Sequence, residues 1–368
     1  MTIDVRPIGP DEFEAFLHVG EVVFAAEPQP EHVDSLRRSF EFDRTLACVD
    51  GGTLVGAAGS FSFHLTLPGL VPVPTAGVTY VGVLPTHRRR GLLRRMMTRQ
   101  LADVHGRGEP VAVLIASESG IYGRFGYGAA TMATRYRLSR HRAEWLRRPT
   151  AGEFRVVEPD DVVGALVPVY DAYWSSRVGE VSRNDSWWAH FVVPEKGEQG
   201  VRRVVVRRGP SGDDAFAVYR LVMDWDGGVS KGTLNVDQLV AVTPEAEADM
   251  LAFLLGVDLV DTVVLDHRPV DDPLRWWLAD ARQLRSSWTM DWLWVRLADA
   301  PTALASRRYR VEDRLAVDLV DEVCPWNAGT LVLEGGPDGA TCKLVDGHAG
   351  DLRMGARQLG SMLLGGVS

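Results

Sequence analysis

Two periods of hydrophobicity alternate along this chain and mark out strands and helices. Val78, Thr79, Tyr80, Val81 and Val83 form an apolar, β-branched run, and Pro85, unable to donate to a ladder, ends it; the run predicts a strand. From Gly91 the period changes. Leu93, Met97, Leu101 and Val104 recur at helical spacing with Leu92 and Met96 beside them, while Arg94, Arg95 and Arg99 fall elsewhere, which predicts a helix ended by Gly106 and Gly108. Upstream, Phe13, Phe16, Leu17 and Phe24 share one side of a helix expected over residues 10 to 24. Residues 45 to 50 and 53 to 67 flank Gly51 and Gly52 as a hairpin, a proline-rich loop is expected over 68 to 74, and 111 to 117 form a short buried strand. The order helix, hairpin, strand, loop, helix, strand describes an α/β domain.

The pattern then restarts. FRVVEPDD, residues 154 to 161, resembles the first residues in style; a helix is expected over AHFVVPE, residues 189 to 195, and strands over 202 to 208 and 215 to 222. Residues 234 to 258 repeat the strand, loop, helix order. From about residue 302 strands are expected over 314 to 322 and 329 to 336, with a helix over 351 to 366. Composition supports the partition. All 11 tryptophans lie at or beyond Trp145, a break that points to separate domains with different cores.

At 368 residues the chain is long enough for two or three domains, and 46 % hydrophobic with 24 % charged residues is ordinary for a soluble globular protein. No apolar run approaches a membrane span and the first residues lack a signal-peptide pattern, so a cytoplasmic protein without membrane contact is expected. Cys48, Cys324 and Cys342 are scattered, and the nine histidines show no metal-ligand spacing, so neither a disulfide framework nor a metal is expected.

The chemistry concentrates in the loop between the strand and helix of residues 78 to 104. Arg88, Arg89, Arg90 and Gly91 precede a helix start, where unpaired backbone N–H groups and the macrodipole already favour an anion. A phosphate or pyrophosphate suits such a site. A solvated arginine cluster is the bland alternative; a nucleic-acid patch fits poorly with a formal charge of −9, and a Walker loop is excluded because no Gly-Lys-Ser/Thr follows.

The segment PTHRRRGLL, with Arg88 and Gly91 in the coenzyme A motif, resembles the GCN5-related N-acetyltransferases, and with SESGIYGRFGYG, residues 117 to 128, it is similar to their enhanced intracellular survival (Eis) family of aminoglycoside acetyltransferases. Leu93 departs from the small residue that ends the general motif, as it does in that family. The resemblance implies an α/β (α+β) fold: an acetyltransferase domain over residues 1–145, a second over 146–298 without the coenzyme motif, and a sterol-carrier-like domain over 299–368, expected to be incomplete because the family continues beyond the position of Ser368.

The resemblance also implies acetyl-coenzyme A as donor. Its pantetheine would pair with the backbone of Val81, Gly82 and Val83, and its phosphates would meet Arg88, Arg89, Arg90, Gly91, Leu92, Leu93 and Arg94. Ser117 and Glu118 would line the opposite wall, and Tyr122 would protonate the departing thiolate, with Tyr127 as the nearby alternative. Phe24 and Glu27 are expected on the amine-facing wall. The base in this family is the C-terminal carboxylate, expected here to lie beyond the sequence in hand. The acceptor implied is a polyamine or aminoglycoside, with a homo-oligomer, a hexamer in the family, as the assembly. Acetylation of protein lysines, or a coenzyme A- or lipid-binding regulatory module without turnover, are the rival functions.

Overall fold

The structure, a computed structural model, describes residues 3–26, 33–150, 152–185, 187–188, 196–197, 200–345 and 349–367. Two compact units divide the chain: Met1–Thr131, Arg177–His190 and Asp291–Ser368 in the first, Met132–Ser176 and Phe191–Met290 in the second. No helix among the described residues is long and apolar enough to cross a membrane.

In the first unit, strand β1 (Asp4–Arg6) is followed by a short 3-10 turn, Pro10–Glu12, and helix α1 (Phe13–Phe24). Glu12 anchors this start by accepting from Gly9 N and pairing with Arg6 at 2.6 Å. Phe13, Phe16, Leu17, Val19 and Gly20 are the buried face of α1; Phe24, expected on that stripe, is 48 % exposed and outside it. After α2 (Val33–Ser39) come β2 (Leu46–Asp50) and β3 (Thr53–Leu67), joined through Gly51 and Gly52, both at positive φ. Strand β4 then runs over Val71–Val83. The loop expected over 68 to 74 is therefore shorter, because Pro72 and Pro74 sit within β4. Antiparallel β3 pairs this stretch on one side, whereas parallel β5 (Val111–Ile115) joins only at Thr75, Ala76 and Gly77; ahead of Thr75 the other edge tolerates a proline.

Helix α3 (Leu92–Gly106) separates β4 from β5, and a single turn, α4 (Ser119–Tyr122), follows β5, with β6 (Gly128–Ala129) behind it. Among the described residues the first sheet has the order β1-β2-β3-β4-β5, then Leu293–Leu297, then β6. The strand Leu293–Leu297 thus comes from nearly 200 residues downstream of β5. The core beneath combines Leu92, Met96, Met97 and Leu101 of α3 with Ala112 and Leu114 of β5.

A smaller sheet completes the first unit, in the order Gly339–Val345, Gly329–Gly336, Asp313–Val320, Leu352–Gly355. The helix expected over 351 to 366 covers only Ala356–Met362, because residues 352 to 355 extend in parallel beside Asp313–Val320. That helix packs on the first sheet at backbone distance. A Cβ at Gly360 would lie 2.3 Å from the Val295 carbonyl oxygen, and one at Gly128 would lie 2.1 Å from that of Arg357.

The second unit holds a sheet ordered Arg285–Asp291, Met132–Ser139, Val260–Pro269, Gly232–Ala241, Gly212–Val222, Gly200–Gly209, Glu153–Val157. Its parallel pair, Gly232–Ala241 with Val260–Pro269, brackets the helix Pro244–Gly256, the expected second strand, loop and helix. The loop is closed by its own chemistry. Thr243 accepts from Ala246 N at 3.1 Å, and Pro244 follows it, so the helix start is capped from within and no arginine stands there. The helix expected over AHFVVPE lies outside the described residues. Among the tryptophans of the later part of the chain, Trp294 is buried and Trp277 packs on the second unit's core, whereas Trp276 is 73 % exposed.

Candidate active site

Strands β4 and β5 part company at the centre of the first sheet. Their described pairing ends at Gly77 opposite Val113, while on its other side β5 pairs with Leu293–Leu297 along its whole length. Beyond this fork β4 is bent by an irregularity in its register with β3, between Ala57 opposite Gly82 and Gly59 opposite Thr79, and Tyr80 there takes φ 52°. Gly82 and Val83 keep their β3 partners, Ala57 and Gly56, Val81 falls within the irregularity, and all three line the opening on their other side. A row of unpaired N–H and C=O groups results, able to receive an amide-bearing ligand as an added strand.

The opening widens into a cavity of about 1060 Å³. Val81, Gly82 and Val83 line one wall, and Ser117, Glu118 and Tyr122 another. Arg88, Arg89, Gly91, Leu92, Leu93 and Arg94 stand at the start of α3. Here Gly91 occupies the N-cap at φ 75° and no side chain caps the helix. Its first N–H groups are thus available to an anion. The arginines divide by partner. Arg90 pairs with Asp50 at 3.4 Å, Arg95 bonds the Ile3 carbonyl at 2.7 Å, and Arg99 pairs with Asp103 at 2.8 Å. Arg88, Arg89 and Arg94 have no hydrogen-bond or ion-pair partner among the described residues. So Arg90, grouped with its neighbours by sequence, does not line the cavity.

Tyr122 ends α4, buried to 6 % exposure, with its ring edge-on to Tyr127 at 6.0 Å. Burial, helped by the negative charge of Glu118, pushes its hydroxyl up to about 12. It therefore stays protonated through the neutral range, as a proton donor must. Tyr127 is fully buried, does not line the cavity, and its hydroxyl has no partner among the described residues. The carboxylate of Glu118 also makes no hydrogen bond or ion pair there.

Phe24 stands on the cavity wall beside Val23, which explains its exposure, whereas Glu27 lies outside the described residues. Sequence reasoning missed other lining residues. Ile121, Arg124 and Phe125 were within reach, since they interleave the IYGRFG stretch. His87, held by Asp50 at 3.4 Å and Thr86 at 2.8 Å, was adjacent to the arginine run. Glu322 and Val323 carry no local signal and reach the cavity only through tertiary folding. Among the described residues no cluster of three or more metal-ligating side chains occurs.

An uncapped helix start with three unengaged arginines, a forked strand edge and a protonated phenol in one cavity suit a phosphate-bearing thioester. The comparisons agree. Residues 4–130 match the acetyltransferase (GNAT) domain, 179–297 match a second acetyltransferase (GNAT) domain, and 300–368 match the sterol carrier protein domain. An uncharacterized N-acetyltransferase of Streptomyces coelicolor is 37 % identical over 379 residues, covering all of this chain and 91 % of its own length. The N-acetyltransferase Eis of Mycobacterium tuberculosis is 31 % identical over 375 residues, covering 99 % of this chain and 90 % of its own. The crystal structure of Eis1 from Mycobacterium abscessus superposes with a TM-score of 0.85 at 35 % identity, covering 98 % of this chain and 90 % of that one. Such a fold implies the use of acetyl-coenzyme A. This chain, an acetyltransferase with two such domains and a sterol-carrier-like one, belongs to the GCN5-related N-acetyltransferases, in the family of Eis.

Proposed function

We propose that the chain moves the acetyl group of acetyl-coenzyme A to a primary amine of a polycationic small molecule, with aminoglycosides as the class of acceptor. The observation that carries the donor half is the separation of Arg88, Arg89 and Arg94, unengaged at the start of α3, from arginines already paired. These three and the α3 N–H groups hold the pyrophosphate, while Val81, Gly82 and Val83 bond the pantetheine amides. Tyr122 then stands by the thioester sulfur. The acceptor's ammonium first gives one proton to solvent and attacks the thioester carbon as the free amine; Tyr122 gives its proton to the sulfur as the carbon–sulfur bond breaks. Tyr122 regains its proton from the acylated nitrogen, so no phenolate persists in a buried site. For the acceptor, the formal charge of −9 and the likeness to Eis support a cationic amine.

Thiol release from acetyl-coenzyme A against a panel of aminoglycosides, polyamines and lysine peptides tests this reading. Release with aminoglycosides is expected; release with lysine peptides alone would move the acceptor to proteins, and none with any amine would overturn the enzyme assignment here. Arg89→Ala is expected to weaken coenzyme A binding about tenfold or more by calorimetry, while Arg90→Ala stays within about twofold. Equal losses would mean the distinction between free and paired arginines has no bearing on the donor.

A further inference from the structure

The turn that ends in Tyr122 leaves one charged group unspent. Glu118 stands at its start with extended backbone, φ −135° and ψ 112°, and its carbonyl closes the turn by accepting from Ile121 N at 3.2 Å. Its side chain does not cap α4, although short acidic and hydroxyl side chains favour such a place. The carboxylate is left to the cavity, with no hydrogen bond or ion pair among the described residues. Glu118 and Tyr122 lie four residues apart on one turn, the spacing that sets side chains beside each other. The phenol registers that neighbour, since Glu118 is the charged group whose field acts on it. Its hydroxyl, on a ring 6 % exposed, has no hydrogen bond among the described residues either.

A proton donor and a proton acceptor, both unengaged, therefore stand side by side on one wall of the cavity. In the acetyl transfer proposed above, on which the role of Glu118 rests, Tyr122 serves the sulfur and the amine must reach the carbon bonded to that sulfur. An amine attacking there comes within reach of the carboxylate beside the phenol. It arrives as an ammonium, and no carbon–nitrogen bond forms until a lone pair is freed. We propose that Glu118 is the base that frees it. The carboxylate takes one proton from the ammonium and, being exposed, hands it to solvent. The lone pair then attacks, the carbon–sulfur bond breaks as Tyr122 protonates the sulfur, and the second nitrogen proton restores the phenol. The other charged groups of the cavity have other places: Arg88, Arg89 and Arg94 are assigned to the phosphates, His87 is held by Asp50, Arg124 donates its Nε to the Ile121 carbonyl at 2.9 Å, and the field of Glu322 does not act on the phenol.

The test is thiol release as a function of pH, with neomycin as acceptor, for the full chain, Glu118→Gln and Glu322→Gln, and calorimetric binding of acetyl-coenzyme A to each. Glu118→Gln, which keeps the volume and loses the basic oxygen, should lower kcat/KM for the amine about a hundredfold near neutral pH, while the dissociation constant for the donor holds within about twofold. That deficit should shrink as pH rises toward the amine's own pKa, where the acceptor arrives already deprotonated. Glu322→Gln should show no deficit that shrinks with pH. Unaltered turnover in Glu118→Gln, a loss equal at every pH, a loss matched by weaker donor binding, or a pH-dependent deficit in Glu322→Gln instead would each overturn the role of Glu118 alone. A wild-type chain that binds the donor and releases no thiol with neomycin or any other amine would overturn the transfer itself, and the need for a base with it.

Discussion

At the residue scale the informative contrast is between two tyrosines five positions apart. Tyr122 lines the cavity with its hydroxyl pushed up to about 12, and Tyr127 buries a hydroxyl that bonds nothing among the described residues. Replacing each by phenylalanine should therefore have opposite readouts. Tyr122→Phe is expected to lower kcat about a hundredfold while coenzyme A affinity holds. Tyr127→Phe should leave turnover intact and leave stability unchanged or raise it by about 1 kcal/mol, since it removes an unsatisfied polar atom. An unaltered kcat in the first, or a lost one in the second, would exchange their roles. The sequence suggested Tyr122 only through the similarity of its surroundings to a family, because burial and unmet hydrogen bonds have no signature in a string. The arginines were legible as a group and illegible as individuals: which of Arg88, Arg89 and Arg90 is free depends on Asp50, some 40 residues away.

At the element scale, periodicity recovered α3, which buries one regular face, and an apolar β-branched run ended by Pro85 recovered the end of β4. It failed where an edge decides. Pro72 and Pro74 read as a loop, yet β4 admits them because β5 joins only from Thr75 onward. Residues 352 to 355 read as helix, yet a parallel neighbour draws them into a sheet. Close packing of elements is equally hidden, and Gly360 is the sharpest instance. A methyl there would meet the Val295 carbonyl oxygen, which belongs to a strand paired on both sides and cannot step back. Gly360→Ala should cost about 3 kcal/mol in urea denaturation, against the slight gain alanine brings to an open helix site. A loss under about 0.5 kcal/mol would show that the helix shifts freely on the sheet.

At the scale of the whole molecule the three-part organisation was legible from composition and resemblance, whereas the route of the chain was not. Met132–Ser139 joins the second unit's sheet, and Leu293–Leu297 returns to the first, where it bonds both β5 and β6. No local pattern announces such an exchange, because a strand's partner is set by what is left unpaired elsewhere. The exchange also has a consequence in time. On the ribosome, the first sheet emerges before the strand that joins β5 to β6 has been made, and the gap is not filled until residue 297 has been added. Until then β5 presents a bare apolar edge, the geometry that invites pairing with another chain. A fragment of residues 1–145 should accordingly aggregate or melt without cooperativity, and addition of a peptide spanning 291–299 should improve its solubility; a soluble, cooperatively melting fragment would count against this order of assembly. The cleft proposed for the coenzyme is thus written early in the chain, while the sheet that carries it is finished late, by a strand made some 180 residues after β5.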